Sequence, residues 1–85
     1  MSDRDKKAPK VKQITSQYTF ETFDSLLVID NGSDGFRVQD DDAAIAPWPT
    51  GIPLAIGKQE GKACGPFIIM APETGSLDVT AIYYT

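Results

Sequence analysis

Eighty-five residues make one small domain at most, close to the lower limit at which a hydrophobic core sustains a fold unaided. The chain has no histidine and a single cysteine, Cys64, which excludes an intrachain disulfide, the usual zinc frameworks and any Ser-His or Cys-His nucleophile pair. With no staple, no metal and no cofactor expected, such a chain should draw stability from a partner. A subunit of an assembly is therefore expected, not an enzyme, since a walled substrate pocket is hard to build at this length.

The net charge of −4 conceals an asymmetry. Residues 1–12 hold Arg4, Lys6, Lys7, Lys10 and Lys12 against Asp3 and Asp5, giving +3, whereas three basic and ten acidic residues give the remainder −7. Residues 1–13 read as a basic, extended N-terminal arm and 14–85 as the folded domain. The five basic residues are candidates for binding a partner. Nucleic acid is disfavoured because the acidic body repels phosphates and no aromatic residue interleaves with the lysines. An acidic surface on a neighbouring subunit fits better. Met1 to Lys12 contain no apolar core for a signal peptide, and no segment approaches the roughly 20 apolar residues of a membrane span. With a free Cys64, synthesis in a reducing cytosol and no membrane contact are expected.

Beyond the arm the pattern is β throughout. Ile14, Ser16, Tyr18 and Phe20 alternate with Thr15, Gln17, Thr19 and Glu21, predicting one half-buried strand. Leu26-Leu27-Val28-Ile29 is a continuous apolar run, which predicts a strand buried on both faces. The turn formers Asp30 to Gly35 followed by Phe36-Arg37-Val38-Gln39 predict a hairpin. Asp42 is placed to cap one helical turn over Ala43 to Ala46, ended by Pro47. Ile52, Leu54 and Ile56 alternate behind Pro53, which marks a strand start or an edge. Gly57 to Gly65 reads as a loop, and Phe67 to Met70 as a second buried run. The last strand, Leu77 to Thr85, turns Leu77, Val79, Ala81 and Tyr83 to one side. Its other side begins polar, with Asp78 and Thr80, and ends apolar, with Ile82 and Tyr84. About six strands at spacings near 8 to 12 residues predict an all-β fold, a small antiparallel β-sandwich or barrel.

Four features invite a functional reading. Ile82 and Tyr84 form an apolar end to a wet strand face, a candidate subunit contact. Trp48, held between Pro47 and Pro49, suits a core plug or an interface anchor, and with Tyr83 or Tyr84 it could stack on a sugar. Asp40, Asp41 and Asp42 are a candidate acidic docking patch for the basic arm of a neighbouring copy. Asp30 to Asp41 partly follows a calcium-loop spacing, but Gly32 stands where a ligand is needed and strands flank the loop, so a plain turn is the expectation.

The order of features has a parallel. Leu26-Leu27-Val28-Ile29-Asp30-Asn31-Gly32-Ser33-Asp34-Gly35 followed by Phe36-Arg37-Val38 resembles the first hairpin of small virion proteins of tailed phages. Thr50-Gly51-Ile52-Pro53-Leu54, with the later Ala71-Pro72-Glu73-Thr74-Gly75-Ser76-Leu77-Asp78-Val79-Thr80-Ala81-Ile82-Tyr83-Tyr84, resembles the remainder of their plan. Capsid decoration proteins and head-spike base proteins share that plan. The resemblance covers roughly residues 14–85, without the Asp40 to Trp48 segment and the arm. It implies a β-sandwich fixed to a virion: a capsid decoration or cement subunit, or a head-spike base, held to the major capsid protein or other virion subunits and often homo-oligomeric. A tail or baseplate component and a carbohydrate-binding module are the alternatives.

Overall fold

The computed structural model describes residues 8–41, 43–57, 62 and 64–85. Eight strands form two antiparallel four-stranded sheets, and no helix occurs among these residues. In chain order they are β1 (Lys10–Ile14), β2 (Tyr18–Phe20), β3 (Ser25–Asp30), β4 (Phe36–Asp40), β5 (Ala46–Trp48), β6 (Leu54–Gly57), β7 (Phe67–Met70) and β8 (Val79–Tyr84). The first sheet runs β1-β8-β3-β6 and the second β2-β7-β4-β5. The expected sandwich is present, with eight short strands in place of six.

The core lies between the sheets. Ile14, Leu26, Val28, Leu54, Val79 and Ala81 point inward from the first, and Phe20, Phe36, Phe67 and Ile69 from the second. Aromatic rings key the layers together. Phe20 meets Tyr83 edge-on at 4.9 Å between centroids, and Phe23 meets Phe67 at 6.5 Å, arrangements the ring quadrupoles favour. Phe23 and Cys64 exchange backbone hydrogen bonds of 3.1 and 2.8 Å, closing one end. Beside that bridge Gly65 has φ +119°, and a Cβ there would overlap the Glu21 carbonyl, so only glycine fits.

Several local expectations are corrected. The alternation from Ile14 to Phe20 is not one strand: β1 ends at Ile14 in the first sheet and β2 begins at Tyr18 in the second, with Ser16 exposed between them. The predicted hairpin over Leu26 to Gln39 is an arch, because β3 and β4 lie in different sheets. Both sides of β3 are already occupied, by β8 and β6, so the chain has to cross to the other layer. Among the described residues no helical turn precedes Pro47, and its predicted cap, Asp42, lies outside them. Pro47 instead sits in β5, an edge strand, where its missing N–H costs no ladder bond.

The apolar run is corrected too. Leu26 and Val28 are buried, but Leu27 is half-buried and Ile29 is 38% exposed. A two-layer sandwich covers each sheet on one side only. Among the described residues, no layer covers the outward half of the run.

Candidate interaction surface

The outward face of the first sheet can be read row by row from the strand register. One row runs Val11, Ile82, Leu27, Ala55 across all four strands. On one side of it lie Gln13, Thr80 and Ile29, and on the other Tyr84, Ser25 and Gly57. None of these positions carries a charge, in a chain where 24% of residues do. A solvated sheet face normally alternates apolar-in with polar-out. This one does not.

The face has two halves. Toward the Asp30 to Gly35 arch it is polar and bonded to itself. Gln13 Nε2 donates to Asp78 Oδ1 at 3.0 Å, while Asn31 Nδ2 donates to Thr80 Oγ1 at 2.6 Å and to Asp78 Oδ1 at 3.4 Å. Behind them the arch is stitched to the segment before β8. Ser33 Oγ donates to the Asp78 carbonyl at 2.8 Å, and the Ser76 amide donates to Asp34 Oδ2 at 3.0 Å. Toward the other end the face is apolar. Val11 is 66% exposed, and Leu27, Ala55, Ile82 and Tyr84 border a groove of about 430 Å3. Ile82 and Tyr84 therefore belong to one surface with Val11 and Leu27. The sequence signal for Leu27 is the unbroken apolar run, which predicts burial on both faces.

The arm residues divide. Arg4, Lys6 and Lys7 lie outside the described residues. Lys10 and Lys12 are in β1, so pairing with the sandwich begins four residues before position 14. Lys10 Nζ donates to Thr85 Oγ1 at 3.1 Å, and Lys12 Nζ sits 4.6 Å from the centre of the Tyr18 ring, a cation–π contact. Both lysines thus have partners within the chain.

Asp40 and Asp41 are exposed at the end of β4, Asp41 with φ 55°, and they border a cleft of about 490 Å3 with Lys62, Phe23 and Cys64. Asp42 lies outside the described residues. Asp30 uses its carboxylate on its own turn, with Oδ1 accepting the Gly32 and Ser33 amides at 2.9 and 2.6 Å. Asp34 is likewise engaged by Ser76. Among the described residues no group of three or more metal-binding side chains comes together.

Trp48 is half-buried against the core opposite Phe36, and its indole N–H donates to the Ile52 carbonyl at 2.7 Å. Ile45 and Ile52 near it are 49% and 51% exposed. Tyr83 points into the core beside Phe20, whereas Tyr84, next to it on β8, lies on the outward face of the first sheet, and Trp48 belongs to the second. The three rings do not share a platform.

No protein-family model matches the chain, and neither does any curated protein or solved structure.

Proposed function

We propose that this protein is a non-enzymatic structural subunit of a tailed-phage virion, a capsid decoration or cement protein or the base of a head spike. Its working surface is the apolar half of the first sheet's outward face. The observation that carries the adhesive part of the reading is Leu27. It belongs to a run patterned for burial on both sides, and the fold supplies one layer. A partner supplies the other. The virion is suggested by the resemblance of the strand and turn order described above, and the non-enzymatic reading by the absence of histidine from the sequence.

The mechanism is mass action. A protein that binds only the assembled shell stabilises that shell by its own binding free energy. Val11, Leu27, Ile82 and Tyr84 contribute apolar area removed from water, at roughly 25 cal/mol per Å2. Arg4, Lys6 and Lys7 add an attraction to acidic subunits that weakens with salt. Location on the particle is the test. Labelled protein imaged on purified phage particles should decorate the head at regular positions. Particles that carry none of it would remove the reading, and decoration of the tail alone would move the protein to a baseplate role.

A further inference from the structure

Asn31 is the only asparagine in the chain, and Gly32 follows it. An asparagine modifies itself most readily before glycine, because a residue without a Cβ leaves its backbone nitrogen unshielded. In that reaction the Gly32 nitrogen loses its proton to a solvent base and bonds to Cγ of Asn31. The Cγ–Nδ2 bond breaks, and ammonia leaves with a proton taken from water. Water then opens the cyclic imide at either carbonyl. The products are aspartate or isoaspartate, the latter with its backbone running through the side chain. Water is consumed and ammonia released, and nothing is oxidised or reduced. Both residues are exposed, Gly32 has φ +114°, and a Cβ on it would meet nothing within 4 Å, so solvent reaches the nitrogen.

We infer that Asn31 is a self-modification site which the folded arch holds in check, and that conversion there loosens the arch. The side chain is tied across to β8 and the residue before it. Nδ2 donates to Thr80 Oγ1 at 2.6 Å and to Asp78 Oδ1 at 3.4 Å, and the Asn31 backbone amide donates to the Asp78 carbonyl at 2.9 Å. Attack requires Cγ to swing onto the Gly32 nitrogen, which those bonds resist. The nitrogen itself donates to Asp30 Oδ1 at 2.9 Å. A carboxylate so close opposes the anion that the nitrogen must become. The pair is exposed and still slow while the arch is intact. Conversion removes the restraint. In the aspartate product a carboxylate replaces the amide that donated to Asp78 at 3.4 Å, so like charges meet where a donor met an acceptor. The isoaspartate product lengthens the backbone just before Ser33, whose hydroxyl donates to the Asp78 carbonyl at 2.8 Å. Either product undoes the ties that close the polar half of the face, and no step restores the amide. The modification stands on the arch alone and does not require the virion reading.

Incubation of the full chain at one fixed pH and temperature tests this, with the mass gained as amide becomes acid located by peptide mapping. Asp34-Gly35 can isomerise through the same kind of imide but without a change of mass, so the two positions are told apart. Conversion of Asn31 should run about tenfold or more slower in the native chain than in the urea-unfolded chain. Asp30→Ser keeps an acceptor for the Gly32 amide and removes the charge, while Thr80→Val removes the hydroxyl that accepts from Nδ2 and keeps the shape. Each variant, checked for native β circular dichroism, should convert several-fold faster than the native chain, and if one fails to fold the other decides. Asn31→Asp, which makes one product directly, should unfold at a lower urea concentration. A native rate equal to the unfolded rate would overturn the inference. So would folded variants that convert no faster than the native chain, or an Asn31→Asp chain as stable as the native one. Particle binding plays no part in the readout, so a failure here leaves the proposed function standing.

Discussion

The two halves of the first sheet's outward face share β1, β8 and β3, with β6 reaching only the apolar half, and they differ in how far their side chains are satisfied. In the half near the arch, Gln13, Asn31, Thr80 and Asp78 bond to one another, so the polar side chains are satisfied within the chain. In the other half, Val11 is exposed and Leu27, Ile82 and Tyr84 are half-buried, with no second layer over them among the described residues. A surface whose polar groups are already paired gains little from a partner. A surface of uncovered apolar side chains gains the transfer free energy of all the area it hides. The difference lies in what each half still lacks, and it locates the contact.

The sharpest way to break this comparison uses adjacent residues of β3. Leu26→Ala should cost about 2–5 kcal/mol in thermal or urea unfolding, because it opens a cavity between the sheets. Leu27→Ala, one residue on and facing outward, should cost about 1 kcal/mol or less in the isolated chain. Equal costs would mean that the outward face is already packed. A smaller effect sharpens the polar half. Asp78→Ala removes the carboxylate that accepts from Gln13 and Asn31, and it should cost about 1 kcal/mol. It should leave partner binding unchanged. A loss of binding in that variant would place the contact on the wrong half.

Much of the fold was legible in the chain. Val79, Ala81 and Tyr83 face inward and Ile82 and Tyr84 outward, as the period of two requires. Pro53 stands immediately before β6. What could not be read was which layer each strand joins. The segment Asp30 to Gly35 has the composition of a turn whether the chain folds back beside β3 or arches over it, and only the occupied sides of β3 decide between them. The same limit hid the break after Ile14, where alternation continues in register while the chain changes sheets. The misread at Leu27 is the informative one. An apolar run tells that a strand wants cover on both sides, and says nothing about whether the second cover comes from the same chain.

Two lysine substitutions on the outward face test the central claim most directly. Ile82→Lys places a charge in the apolar half, and Gln13→Lys places one in the polar half, where it can meet Asp78. Both chains, checked for native β circular dichroism, are offered to particles lacking the protein, and the amount retained after purification is measured. Retention of the Gln13 variant with loss of the Ile82 variant is the predicted result. Equal retention of the two would contradict the account, because a contact surface that tolerates a buried charge is not the one described.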